Sequence, residues 1–291
     1  MTEVPSIRQA MLVGRHRLAN LGDQATHECL ILLQSITQKT KAKLLAFDEE
    51  LLTAEQYQRF IQRLERRAAG EPSAYIIEEK EFWSLPLKVT ADVLIPRGDT
   101  ELLVETALSV LTNTQRPKIL DLGTGSGCIA LALASELPQA QITGCDRSPA
   151  CLSIARENAK NLGLNTISWH ESDWFSALTM KPYDLIVSNP PYIAADDPNL
   201  AASVAEYEPA HALIAQDQGL ADLNKIIQQA GDYLLDTGHL ILEHGWQQAA
   251  QVQSALQQQG FSAIETRTDL QGYERVSMAQ YDPHTPDKSG R

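Results

Sequence analysis

At 291 residues, with 43% hydrophobic and 21% charged residues, the chain is long enough for one sizeable core and a smaller domain. Its formal net charge of −13 and its dispersed basic residues, grouped only at Arg63, Arg66 and Arg67, disfavour a nucleic-acid partner, whose phosphates need clustered Lys and Arg. The N-terminus lacks an apolar signal region and the longest apolar run, residues 128–134, is far too short for a bilayer, so a cytoplasmic protein with no membrane partner is expected.

Apolar residues at three- and four-residue spacings predict helices over 7–18, 24–36, 39–46 and 53–69. Thr53 and Gln56 form a capping-box pair that opens the last of these. Residues 1–80 thus read as a small helical bundle. An alternating stretch carrying Pro86 and Pro96, residues 81–97, reads as a hairpin-like connector. From 98 to 281 the pattern is β/α. Helices are expected over 101–111, 128–133, 149–162, 220–235 and 246–259, and strands over 118–122, 141–145, 167–170, 183–187, 239–243, 263–266 and 276–281. Alternating strands and helices imply a doubly wound, mainly parallel, Rossmann-like sheet with ligands at the strand C-termini. Residues 193–218 read as a long acidic loop and residues 282–291 as a frayed polar tail.

The strand over 118–122 runs into Gly123-Thr124-Gly125-Ser126-Gly127 and then a helix. Glycines allow close backbone approach there, and free N–H groups at a helix start face the ligand. The next strand ends in Asp146, whose carboxylate can accept both hydroxyls of a ribose. Two cofactors fit this much. Gly125 to Ala130 satisfies the G-x-G-x-x-A pattern of dinucleotide sites, whereas Asp121 ahead of the loop gives D-x-G-x-G-x-G, which resembles the first motif of S-adenosylmethionine-dependent methyltransferases. Asp121 also reads as a turn or capping aspartate. After the third strand, Asp173 could accept the adenine amino hydrogens and Trp174 could cover the ring. Cys29, Cys128, Cys145 and Cys151 form neither a C-x-x-C pair nor a zinc spacing, so no metal is expected.

Asn189-Pro190-Pro191-Tyr192 follows the strand over 183–187. Neither proline can donate to a ladder, and each forces the residue before it into an extended conformation. A simple strand stop would explain that much. The same turn, however, presents the Asn189 side-chain oxygen and the Pro190 carbonyl as two acceptors for a planar –NH2 group, with Tyr192 as a flat surface. Their grip would leave the nitrogen lone pair aimed at an electrophile. Glu243 and His244 read as strand-end packing before a turn at Gly245, with no catalytic role.

The order Gly70-Glu71-Pro72, Glu81-Phe82-Trp83, residues 95–101, the Asp121 loop, Asn189-Pro190-Pro191-Tyr192, Glu208-Pro209, Ala212-Leu213 and Glu243-His244-Gly245 closely resembles the release-factor glutamine methyltransferases, the PrmC/HemK family of protein-(glutamine-N5) methyltransferases. The resemblance covers nearly the whole chain. It implies that Gly123, Thr124, Gly125, Ser126, Gly127, Asp146, Asp173, Trp174 and Asn189 contact S-adenosylmethionine, with S-adenosyl-L-homocysteine as product. It further implies that Asn189, Pro190, Pro191 and Tyr192 hold the glutamine of the Gly-Gly-Gln motif of peptide-chain release factors, while the helical domain helps dock the factor. Gly98 stands where the family usually has proline and Glu78 where it usually has glycine. Three other readings share parts of this pattern: an adenine-amino methyltransferase acting on nucleic acid, a ribosomal-protein glutamine methyltransferase, and a binding module without turnover.

Overall fold

The computed structural model describes residues 4–180, 182–197 and 202–283. It divides the chain into two compact units between Glu79 and Lys80.

The first unit holds α1 (Ile7–Arg17), α2 (Gln24–Thr37), α3 (Lys41–Ala46), α4 (Ala54–Ala68) and the short α5 (Ser73–Ile77). Ser6 and Thr53 each close a capping box, with Gln9 and Gln56 respectively, so two orphan amides at each helix start are satisfied. Helix α3 starts two residues later than its periodicity suggests because Thr40 takes the cap position, accepting from the Lys43 amide. Leu32, Leu33, Phe60 and Leu64 are fully buried in this unit's core. Each such side chain contributes roughly 1.5–3 kcal/mol of transfer free energy. Helix α5, which periodicity did not predict, is too short to show a repeat. It ends at Glu78, a non-glycine residue at φ 58°. A family glycine at this position would adopt that conformation without a Cβ penalty.

The hairpin of the connector is β1 (Glu79–Phe82) and β2 (Leu85–Lys88), joined through Trp83 and Ser84, both at positive φ. It starts two residues before the expected span. Residues 89–97 are not strand, since Pro96 cannot donate to a ladder and Val89, Val93 and Ile95 bury themselves in the core individually.

In the second unit, α6 (Glu101–Val110) precedes β3 (Lys118–Leu122), α7 (Cys128–Glu136), β4 (Gln141–Asp146), α8 (Pro149–Leu162), β5 (Ser168–Glu171) and β6 (Tyr183–Ser188). Then follow α9 (Ala202–Tyr207), α10 (Ala221–Ala230), β7 (Leu234–Glu243), α11 (Ala249–Gln258), β8 (Phe261–Thr268) and β9 (Glu274–Tyr281). Among the described residues the strands form one seven-stranded sheet in the order β5-β4-β3-β6-β7-β9-β8, parallel except for β9, which runs antiparallel to both its neighbours. The strand order reverses between β3 and β6. In such sheets the crevice outside the carboxyl ends at that switch point binds ligands. The inner strands β3, β4 and β6 are apolar and buried on both faces, as a parallel sheet covered by helices requires.

Three expectations need correction. Helix α10 stops at Ala230 instead of 235, because Tyr233 stacks on Phe175 at 4.5 Å and Leu234 already pairs with Tyr183 across the sheet. Helix α11 starts at Ala249 instead of 246, because the Gln248 side chain folds back onto the Gly245 amide and holds a turn there. The acidic stretch 193–218 is not an irregular loop. Among its described residues it contains α9 and two short 3-10 turns, and a bridge ties Ile193 to Ile214. The expected tail lies outside the described residues from position 284 onward.

Candidate active site

Strand register builds the site. Leu122 of β3 pairs with Cys145 of β4 on one side and with Ser188 of β6 on the other, and Ser188 pairs with Leu242 of β7. The next residue on each strand is therefore Asp146, Gly123, Asn189 and Glu243, which form one row along the carboxyl edge. The Ser188 hydroxyl donates to the Leu122 carbonyl at 2.7 Å and pins the two switch-point strands together.

Below the glycine loop, Asp121 is wholly buried and accepts from the Thr124 hydroxyl at 2.5 Å and the Ala130 amide at 3.2 Å. The turn role suggested by the sequence is the one the geometry carries. Thr124 and Ser126 are themselves buried, and Gly127, at φ 84°, opens α7 with Trp169 and Ala155 packed against it. Their side chains do not border the cavity beside the loop. They hold the shape of a loop whose Gly123 and Gly125 do line it, together with Asp146, Ser172, Trp174 and Asn189. The Trp174 indole N–H donates to Asp222 at 3.1 Å, which fixes the ring beside Gly123. Asp173 also borders this cavity, with its carboxylate paired to Lys225 at 2.8 Å.

Asp146 is nearly buried. One carboxylate oxygen accepts from the Gly125 amide at 3.0 Å and the other from the Ser148 amide at 2.9 Å. A carboxylate offers about four acceptor positions, so both oxygens retain capacity for a further hydroxyl.

The second cavity lies on the other side of Asn189 and is lined by Asn189, Pro190, Tyr192, Glu243, Trp246 and Arg275. Asn189 borders both cavities, whereas Pro191 borders the first and not the second. Gly219 lies directly against the motif: a Cβ there would sit 2.1 Å from the Tyr192 carbonyl oxygen, so this close approach admits only glycine.

Two residues that contact this motif were not marked by the sequence as functional. The Asn189 Nδ2 donates to the buried Thr100 hydroxyl at 3.1 Å. Tyr192 donates from its hydroxyl to Glu243 at 3.2 Å. Glu243 is 1% exposed, and its Oε2 meets no partner among the described residues. Glu243 is thus part of the motif's support, while His244, bonded to Ser277 at 2.9 Å and beside Gly245, is the packing residue expected. Only the stretch from Ile95 to Glu101 and the Glu-His-Gly triplet hinted at either position.

Burial pushes the Asp121 carboxyl up to about 7. Glu243 also rises to about 7, again through burial, with the Thr100 and Tyr192 hydroxyls opposing the shift. Burial, followed by the nearby Glu243 charge, raises the Tyr192 phenol. Both carboxyls bind a proton more tightly folded than unfolded, so between the unfolded value and about 7 the native state carries more protons. Stability is therefore expected to rise as pH falls through 7, by up to about 1.4 kcal/mol per pH unit for each group, and to level off above. Urea unfolding at about pH 5.5 and about pH 8.5 checks this, and the Glu243→Gln protein should show a shallower slope.

Comparison with known proteins agrees with this geometry. A methyltransferase small domain matches residues 98–213, and a PrmC N-terminal domain matches residues 9–77. The release factor glutamine methyltransferase of Salmonella typhimurium is 45% identical over 261 residues, covering 90% of this chain and 94% of that protein. The Escherichia coli protein of the same name is 47% identical over 251 residues, covering 86% and 90%. The chain belongs to the release factor glutamine methyltransferase family. Among solved structures, a methyltransferase from Pyrococcus furiosus shares the fold at a TM-score of 0.50 and 14% identity, over 76% of this chain and 98% of that one. Membership in this family makes the chain a methyltransferase. No helix among the described residues is long and apolar enough to cross a membrane.

Proposed function

We propose that this methyltransferase transfers the methyl group of S-adenosylmethionine to the side-chain amide nitrogen of the glutamine in the Gly-Gly-Gln motif of peptide-chain release factors. The observation that carries the reading is the placement of Asn189 between two cavities: one bordered by the glycine loop and Asp146, the other by Pro190 and Tyr192. The residues of the first cavity fit the cofactor. Asp146 retains acceptor capacity for ribose hydroxyls, Gly125 at φ 55° leaves open space where a side chain would stand, and Trp174 offers an aromatic wall. When bound, S-adenosylmethionine supplies an already electrophilic sulfonium methyl, so the protein has only the nucleophile to prepare.

An amide nitrogen is a poor nucleophile because its lone pair is delocalised into the carbonyl. Holding it in line for attack can lower the barrier by roughly 7–11 kcal/mol. Asn189 Oδ1 and the Pro190 carbonyl would take the two –NH2 hydrogens. Both acceptors gain strength as positive charge develops on nitrogen in the transition state. Tyr192, its hydroxyl fixed on Glu243, would form the flat wall against the amide plane. The helical unit would contribute to docking of the factor. The net charge of −13 is consistent with a protein substrate in preference to nucleic acid.

Transfer of labelled methyl to purified release factor tests this directly, beside a Gly-Gly-Ala variant of the factor, a ribosomal protein fraction and duplex DNA. Label on the wild-type factor alone is expected. Label on DNA or ribosomal protein would overturn the substrate, and binding of the factor without label would overturn the enzyme reading.

A further inference from the structure

Among the described residues, Leu94, Asn189 and Ala212 are the ones that border both cavities. A methyl group that leaves the cofactor cavity for an amide nitrogen in the second has to pass among these three. Asn189 supplies the polar group there, whereas the side chains of Leu94 and Ala212 offer only carbon and hold no rival nucleophile. The spacing of this rim matters, because a misplacement of about 1 Å can cost about 10²-fold in rate. Asn189 takes its place from the strand register, and one carboxylate ties the other two together. Glu208 follows α9 with its side chain 1% exposed. It accepts from the Ile95 amide at 3.2 Å and forms an ion pair with Arg97, residues 113 and 111 positions earlier in the chain. Ile95 is itself buried, so its N–H needs this acceptor. Leu94 is the residue before it.

On the other side of Glu208 a tight turn leads to Ala212. The Ala212 amide donates to the Pro209 carbonyl at 2.8 Å and the Ile214 amide to the Ala210 carbonyl at 2.9 Å. The Leu213 carbonyl then accepts from the amide of Ile193, the residue after Tyr192, at 3.0 Å, so the turn is joined to the end of the Asn-Pro-Pro-Tyr motif. We propose that Glu208 is a positioning residue for methyl transfer: by tying Ile95 and Arg97 to the turn that carries Ala212, it fixes the width of the passage between the two cavities. A buried carboxylate suits the task, since losing either partner leaves a polar group unpaired away from water. The proposal rests on the reading that the first cavity takes the cofactor and the second the amide, and on nothing about the release factor beyond its glutamine.

Single-turnover methyl transfer, on whichever acceptor the wild type labels, reads the passage. Glu208→Ala is expected to lower the rate about 10²-fold and Glu208→Gln, which keeps the length and one acceptor, about tenfold. The cofactor dissociation constant and the KM for the acceptor should each change by less than about threefold. Leu94→Ala should also lower the rate about tenfold, and the double variant of Leu94→Ala with Glu208→Gln by little more than the worse single one, because both act on one spacing. Unchanged rates, or equal losses in rate, KM and cofactor affinity, would overturn the proposal, and so would losses that multiply in the double variant. A second measurement needs no substrate. In Glu208→Gln, amide hydrogen exchange at Ile95 and Ala212 should be at least about tenfold faster than in the wild type, with exchange at Thr124, bonded to the Cys145 carbonyl at 2.9 Å, unchanged. Wild-type exchange at Ala212 would overturn the tie even if the substrate proved to be something else. Faster exchange at both positions beside a release factor that takes no label would instead sink the substrate reading and leave the role of Glu208 standing.

Discussion

Asn189→Ala is expected to lower turnover by about 10²–10³-fold while weakening cofactor binding only in part, because the residue holds an acceptor where charge develops. The alanine removes the oxygen proposed to take one –NH2 hydrogen and the group that bonds to Thr100. It leaves Asp146, the glycine loop and the Trp174 wall untouched, which is why the two readouts should separate. The pairing of rate and affinity matters. A mutation that merely loosened the fold would degrade both together, whereas loss of an interaction made in the transition state lowers kcat and kcat/KM alike. Single-turnover methyl transfer beside calorimetry of cofactor binding distinguishes them. Near-normal turnover in this variant would end the proposed mechanism.

For Asp146→Ala the pattern should invert. Two hydrogen bonds from ribose hydroxyls to a carboxylate are worth about 1.5–3 kcal/mol each, so the cofactor dissociation constant should rise about 10²-fold or more. Part of that loss would come from the loop, since Asp146 also anchors the Gly125 and Ser148 amides. Asp146→Asn keeps the side-chain volume but only one acceptor oxygen, so one ribose hydroxyl loses its partner together with either the Gly125 or the Ser148 amide. An intermediate dissociation constant is expected by calorimetry. Unchanged affinity in the alanine variant would refute the ribose assignment.

Much of the catalytic unit was legible before its coordinates. The strand–loop–helix run from Lys118 to Glu136 and the Asn-Pro-Pro-Tyr turn carry their meaning locally, through glycine conformational freedom and the missing proline N–H. Strands β3 and β4 and helix α8 fall within a residue of where their apolar patterns put them. The errors share a cause. Helix α10 ends early because Leu234 is claimed by a strand partner 51 residues away, and α11 starts late because Gln248 caps a turn with its own side chain. Neither signal is periodic.

The distinction is sharpest at Glu243. From sequence alone it is an acid at the end of a strand, and packing was the economical explanation. By itself the chain determined the β/α order, the nucleotide-type loop, the acceptor turn and the resemblance that names its family. Each strand, helix and motif that these rest on is read from residues within a few positions of one another. Only the tertiary structure decided that Thr100, Asn189 and Glu243, spread over 143 positions of chain, meet at one place. The reason is that parallel strands are joined through helices: residues neighbouring across the sheet lie far apart in sequence, and register, which depends on every strand's burial at once, sets which of them touch.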